Sequence, residues 1–156
     1  MVGDAVISSC EKYRYKLTRK WADGPEVLFV MLNPSTADAS QDDPTIKRCI
    51  SFAKDWGFGS LAVANLFAYR TPSPDQLISA EDPVGAENDR WLHDMSVSAD
   101  LTIAAWGNHG QFRGRGREVA ATLIRPHYLR LTKLGEPSHP LYLRKDSQPV
   151  PWEVAC

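Results

Sequence analysis

The sequence predicts a three-layer α/β/α sandwich built around a mainly parallel, four-strand central sheet. Short continuous apolar runs, typical of strands buried on both faces, alternate four times with segments of helical character. Such alternation favours parallel strands joined by helices that cover the sheet on both sides. The chain has 156 residues, an ordinary length for one domain, so we expect residues 1–156 to form a single α/β domain.

Four apolar segments are expected to form the sheet, because each is short and rich in β-branched or aromatic residues. They are Val27–Leu32, Leu61–Phe67, Leu101–Trp106 and Tyr128–Leu131. A further segment, Lys12–Trp21, alternates tyrosines, Leu17 and basic residues, which is typical of a half-exposed strand. We expect this segment at an edge of the sheet.

The helix after the first central strand has the clearest signals. Asp43 is a capping residue, Pro44 suits the first turn and Gly57 can end the helix. Between them, apolar residues at helical spacing form one stripe: Ile46, Cys49, Ile50 and Ala53. Two further helices and one helical turn are predicted: Ala86–Val97, Arg117–Ile124 and Asp75–Ile78.

The net charge of −1 argues against a bulk nucleic-acid coat protein, but the charge is unevenly distributed. Residues 1–100 carry 10 Lys and Arg against 15 Asp and Glu, whereas residues 101–156 carry 8 against 4. The basic side chains of the second part form either a solvated helix face or a patch that contacts phosphates. The candidate phosphate or DNA contacts are Arg113, Arg115, Arg117 and Lys133.

Several protein classes are excluded by missing signals. The longest apolar run, Val27–Leu32, is far shorter than the roughly 20 residues of a membrane helix. The first residues also lack the pattern of a signal segment. We therefore expect a cytoplasmic protein without a membrane partner. The three cysteines form no C-x-x-C pair and are expected to be reduced. Neither a Walker motif nor a dinucleotide fingerprint is present, so no cofactor is expected.

A cluster of acids, Asp38, Asp42 and Asp43, has the ligand chemistry of a Mg²⁺ site. Loop solvation and helix capping account for these residues more simply, and no metal site is predicted. The sequence indicates no particular oligomeric state.

Polar residues follow the predicted strands, where ligands bind in parallel α/β sheets. Asn33, Pro34 and Ser35 come after the first strand; the amide of Asn33 either completes a turn or faces a crevice, where it can orient a water. Asn65 interrupts the second apolar run, so its amide must find structural partners or read a ligand such as a base edge.

The other two strand ends carry histidines. Trp106, Gly107, Asn108 and His109 follow the third strand, and the glycine allows a close backbone approach. His139 follows the fourth strand and stands between two prolines on a stiff loop. It is either an exposed loop side chain or a catalytic imidazole. We expect Asn33, Asn65, His109 and His139 to converge on one pocket.

The strings Leu32–Asp38, Asn65–Phe67, Trp106–Gly110 and His139–Tyr142 together resemble a bacterial and phage domain family of unknown function. The same positions resemble, more remotely, the uracil-DNA glycosylase superfamily. In that comparison Asn33-Pro34 matches a water-positioning motif, Asn65 a base-reading asparagine, and His139 the histidine of the last motif. Leu32 replaces a glycine of the first motif, and Pro140-Leu141 lacks the serine-proline of the last one.

This resemblance implies a uracil-DNA-glycosylase-like fold and an N-glycosidase that acts on a flipped-out DNA base. Asn33 would orient the attacking water, while His139 or His109 would hydrogen-bond the departing base. The remaining candidate contacts to base or substrate are Pro34, Ser35, Asn65, Phe67, Arg70, Trp106, Gly107 and Asn108. Two alternatives stay open: a hydrolase or transferase that acts on free nucleotides, and a non-catalytic module that binds nucleic acid or nucleotides.

Overall fold

The computed structural model describes residues 1–154, whose seven strands form one mixed sheet. In chain order the strands are β1 (Val2–Ile7), β2 (Arg14–Lys20), β3 (Glu26–Met31), β4 (Ser60–Asn65), β5 (Leu101–Ala104), β6 (Pro126–Tyr128) and β7 (Val150–Pro151). Across the sheet they lie in the order β1-β2-β4-β3-β5-β6-β7. The neighbours β4-β3, β3-β5 and β5-β6 are parallel, and the other three pairs are antiparallel.

The expectation of a four-strand, mainly parallel sheet is therefore correct only in part, because the sheet is mixed and has seven strands. β2 is not an edge strand as predicted: it pairs with both β1 and β4. The edge strand β1 has three exposed and three half-buried residues and only a short apolar run, Ala5 to Ile7, so the sequence pattern did not reveal it. β7 comprises only two residues, both exposed, and gives no pattern either.

The predicted ends of three strands are also wrong. β4 ends at Asn65 and β5 at Ala104, although the apolar runs continue to Phe67 and Trp106. Both aromatic residues are buried in the core beyond the strand, so burial rather than strand pairing accounts for their apolar character. The last predicted strand, Tyr128–Leu131, is replaced by β6, because Leu131 forms an isolated bridge with Pro137 across a loop.

Four α-helices accompany the sheet: α1 (Pro44–Asp55), α2 (Pro74–Ser79), α3 (Asn88–Ser98) and α4 (Arg115–Ala120). The prediction for α1 is confirmed, since the Asp43 carboxylate accepts the Ile46 N–H at 2.9 Å and the apolar stripe is buried. The helix predicted over Arg117–Ile124 begins and ends earlier, because Arg115 and Gly116 belong to its first, buried turn. Asn108–Gly114 forms 3₁₀ turns that are interrupted by non-helical backbone at Phe112 and Arg113, and a short 3₁₀ helix covers Pro140–Tyr142.

Apolar side chains that alternate along β3 divide the core into two layers. Phe29 and Met31 pack on the face covered by α1, whereas Leu28 and Val30 face the layer that contains buried residues of α2, α3 and α4. Helices therefore cover both faces, and the carboxyl ends of the parallel strands remain open. Within residues 1–154 no helix combines the length and the apolar character needed to cross a membrane.

Candidate functional site

A pocket of about 550 Å³ opens at the carboxyl ends of the central strands. Its volume is within the range of small-molecule sites. Asn33 follows β3, Asn65 is the last residue of β4, His109 follows β5 and His139 follows β6; all four line this pocket. The structure thus brings together side chains that are up to 106 positions apart in the numbering. Their chemical roles follow from how each one is held.

The Asn33 side chain is oriented by backbone carbonyl groups. Its Nδ2 donates to the Thr71 oxygen at 2.8 Å and to the Pro34 oxygen at 3.1 Å. A third carbonyl oxygen, that of Tyr69, lies at 3.4 Å. Because the surrounding oxygens require the nitrogen on that side, the amide orientation is fixed by its partners. Asn33 therefore presents Oδ1, an acceptor, to the pocket.

The Asn65 side chain is bound through its oxygen, whereas that of Asn33 is bound through its nitrogen. Its Oδ1 accepts a hydrogen bond from Arg14 Nη2 at 3.3 Å, and the side chain is buried. The Asn88 amide donates to the Asn65 backbone oxygen at 2.9 Å and so fixes the end of β4. Among the residues that the structure describes, Asn65 Nδ2 has no acceptor. Asn65 therefore presents a donor to the pocket, complementary to the acceptor of Asn33.

The tautomer of His139 follows from one contact. The Leu141 N–H donates to His139 Nδ1 at 3.2 Å, which places the proton of the neutral ring on Nε2. Burial lowers the pKa of His139, and the nearby Asp43 carboxylate opposes this effect. His139 is consequently a neutral N–H donor near pH 7. His109 lies on the exposed part of the same lining.

Twelve of the lining residues were not predicted as site residues, and the two charged ones among them are Arg14 and Asp43. Arg14 donates to the Ala37 oxygen at 3.1 Å, and burial lowers its pKa to about 10, with Asp43 opposing. No sequence pattern marks Arg14, because a basic residue in a half-exposed strand is ordinarily solvated. Asp43 was correctly interpreted as a helix cap, and its position also gives the pocket a carboxylate.

Two predicted substrate contacts do not line the pocket. Phe67 is fully buried and packs on Phe112, with ring centroids 5.5 Å apart. Arg70 donates to the Glu11 backbone oxygen at 3.0 Å. The other predicted contacts do line it: Pro34, Ser35, Trp106, Gly107 and Asn108.

The predicted phosphate patch also needs correction at Arg115. This guanidinium is 4% exposed and pairs with Asp89 at 2.6 Å and Glu118 at 2.8 Å, while its Nε donates to the Leu66 oxygen. Arg115 is therefore a buried structural residue. The remaining candidates are exposed and lie outside the pocket lining: Arg113, Arg117 and Lys133.

The turn after β5 connects the pocket to the loop that carries His139. Gly107, with φ of +74°, donates its N–H to the Pro137 oxygen at 2.7 Å. The Trp106 indole Nε1 donates to Glu136 at 2.8 Å, and the Thr132 hydroxyl donates to Asn108 at 2.7 Å. These three bonds hold the 132–139 loop against the end of β5.

A family model matches residues 14–141 of the chain. The chain belongs to the DUF1643 family. That family is described as a protein of unknown function. Neither the comparison with curated proteins nor that with solved structures finds a match. The DUF1643 match extends from Arg14 to Leu141, so it contains every lining residue of the pocket except Tyr142.

The acids of this DUF1643 domain do not form a metal cluster. The described part of the chain contains no group of three or more His, Cys, Asp or Glu residues suited to a metal ion. Asp38 accepts backbone N–H groups of its own turn, Asp42 pairs with Arg19 at 2.8 Å, and Asp43 caps α1. Each carboxylate of the predicted cluster thus has a local structural partner.

Proposed function

We propose that this domain is a DNA N-glycosylase-like hydrolase, which cleaves the bond between a flipped-out base and its sugar. One observation carries the proposal: Asn33, Asn65 and His139 converge on one pocket with an acceptor, a donor and a donor, respectively. These groups suit the two opposite demands of the reaction, which are to hold a water and to stabilise a departing base.

In the proposed reaction the bond between the sugar C1′ and the base nitrogen breaks, and its electron pair stays with the base. The water oxygen forms the new bond to C1′, and the water loses one proton. Asn33 Oδ1 accepts a hydrogen bond from that water and orients it, while Asp43 is the lining carboxylate that takes the proton. The His139 Nε2–H donates to the base, where negative charge develops.

The pocket is large enough for one base with its sugar, so a base within a duplex would have to leave the stack to enter it. Asn65 Nδ2 would then donate to a carbonyl oxygen or ring nitrogen at the base edge. At the rim, Leu141 is 45% exposed and Tyr142 is 86% exposed. In the proposed complex these side chains would contact the nucleotides on either side of the extruded base.

Base release from oligonucleotides tests the proposal directly. The purified protein is incubated with DNA that contains uracil, hydroxymethyluracil or other modified bases, and abasic sites are then cleaved and counted. Asn33→Ala should lower the single-turnover rate by about 10²- to 10⁴-fold with little change in DNA binding, because the amide acts on the water. Gln111→Ala, an exposed amide outside the pocket, is the matched control. Absence of base release from every substrate with the wild-type protein would refute the proposal.

A second candidate is a hydrolase or transferase that acts on free nucleotides. It is favoured by the burial of Arg115, which reduces the basic surface available to a DNA backbone. DNA binding measured at several salt concentrations separates the two, because phosphate contacts make binding steeply salt-dependent. Salt-dependent DNA binding without any base release would instead favour a non-catalytic binding module.

A further inference from the structure

Arg14 is a buried cation in the wall of the pocket. It is 2% exposed, and none of the ion pairs found within residues 1–154 includes it. Its guanidinium donates only to neutral oxygens, those of Ala37 and Asn65, and its Nε has no partner. Burying a charge without a counter-charge is costly. A purely structural clamp between these two oxygens would not require a full positive charge.

The charged groups around Arg14 offset the cost of its burial only in part. Arg19 and Arg70 are also cationic; Arg19 is paired with Asp42, and Arg70 donates to a backbone oxygen. Asp43 is the acid that acts on Arg14; its charge opposes the effect of burial, but Asp43 forms no ion pair with Arg14 in the described residues. His139 is neutral near pH 7, since burial lowers its pKa. The wall formed by Arg14 therefore favours a ligand that brings a negative charge.

We propose that the pocket binds an acidic heterocyclic base as its conjugate anion, with Arg14 as the residue that balances the charge. This inference rests on the proposed function and names its substrate class: bases whose ring N–H is acidic enough to ionise. Asn65 Nδ2 and the His139 Nε2–H are two further donors in the same lining, and an anionic ring with its carbonyl oxygens offers acceptors to all three.

Calorimetric titration of the wild-type protein with two free bases is the first test. 5-Nitrouracil is anionic at neutral pH, and uracil is neutral but similar in shape. We expect 5-nitrouracil to bind roughly 10- to 100-fold more tightly, the value of one charge-assisted hydrogen bond. As the pH is lowered, this preference should disappear in step with protonation of 5-nitrouracil, which its absorbance reports. The uracil titration measures any contribution of Asp43 and His139 to the pH dependence.

Variants test whether Arg14 is the residue that causes the preference for the anionic base. Arg14→Gln should remove the preference for 5-nitrouracil, and Arg14→Lys should retain part of it because the charge is kept. Arg70→Gln is the matched control, since Arg70 lies near Arg14 but outside the pocket lining, and it should keep the full preference. If Arg14→Gln does not fold, the wild-type pH series and Arg14→Lys still test the charge.

Equal affinity of the wild-type protein for both bases, or no binding of either, would overturn this inference. So would a preference that Arg14→Gln leaves intact. Base release from DNA combined with equal affinities would leave the proposed glycosidase standing and remove only the role of Arg14. Anion binding that depends on Arg14, without base release from any DNA, would support the anion site and refute the glycosidase.

Discussion

Gly110 is the position at which the smallest substitution should have a large effect. A Cβ built on Gly110 would overlap Cδ1 of the Trp106 indole and would lie 2.5 Å from its Nε1. Trp106 is 1% exposed, so the ring can move only by disturbing its packed neighbours or by entering the pocket. Gly110→Ala must therefore displace either the indole, which lines the pocket, or the backbone of the 3₁₀ helix.

The cost can be worked out from these contacts. Inserting a methyl group into a packed core costs about 1–3 kcal/mol. Displacing the indole also weakens its 2.8 Å hydrogen bond to Glu136, and a bond to a charged group contributes about 1.5–3 kcal/mol. With partial relaxation we expect Gly110→Ala to lower the free energy of unfolding by about 3 kcal/mol. For a chain of this length that corresponds to a fall in Tm of about 6–12 °C.

Urea and thermal unfolding, followed by circular dichroism and tryptophan fluorescence, measure this loss. Gly114→Ala is the matched control: nothing lies within 4 Å of its added Cβ, and the cost comes from its φ of +64°. That left-handed backbone should cost about 1–2 kcal/mol. If Gly110→Ala is as stable as Gly114→Ala or the wild type, the indole is not clamped as described, and the reasoning fails.

Three further predictions concern charged groups and thiols. Arg115→Ala should lower the free energy of unfolding by about 1–3 kcal/mol, because it removes a buried, charge-assisted hydrogen bond to the Leu66 oxygen and leaves Asn88 as the donor to that oxygen. Arg117→Ala, at an exposed position, should change it by less than about 0.5 kcal/mol, and urea unfolding compares the two variants. Burial lowers the pKa of His139 below its ordinary value of 6.5, so as the pH falls the unfolded chain binds a proton at this residue before the folded chain does. The free energy of unfolding should therefore fall as the pH drops below about 6.5, and it should fall less in His139→Asn. An equal fall in both proteins would contradict the burial of the imidazole. Iodoacetamide should label Cys10 well before Cys49, because Cys10 is exposed and has a lowered thiol pKa, whereas burial raises the thiol pKa of Cys49. Peptide mass mapping measures the order of labelling, and equal labelling rates would contradict this prediction.

The convergence of the site could be predicted because it depends on local signals. Strands β3, β4 and β5 are continuous apolar runs, and parallel strands place their carboxyl ends at the same edge of the sheet. A polar residue directly after such a run therefore lies at that edge. This reasoning predicted the positions of Asn33 and His109 at that edge. Asn65 was expected within its strand and His139 after a strand that ends earlier than predicted, yet all four residues line the pocket.

The environment of individual charges could not be predicted, since it depends on distant partners. Arg115 and Arg117 are two positions apart in a uniform basic segment, yet only Arg115 is buried. Its partners Asp89 and Leu66 lie 26 and 49 positions away along the chain. Arg14 contacts Asn65 across 51 positions. Such contacts depend on how the whole domain packs, and the periodicity of the sequence does not predict them.

The two amides of the pocket constrain what it recognises. Asn33 presents an acceptor because three carbonyl oxygens surround its nitrogen, and Asn65 presents a donor because Arg14 occupies its oxygen. Under the proposed function the acceptor of Asn33 serves the attacking water, and the donor of Asn65 serves a carbonyl oxygen or ring nitrogen of the base. This base edge is present in DNA and in a free nucleotide alike. Discrimination between the two must then come from groups beyond the base. Tyr142 lines the pocket and is 86% exposed. Under the proposed function its ring would contact the nucleotide next to the extruded base, which a free nucleotide lacks, so the choice between DNA and nucleotide would depend on Tyr142.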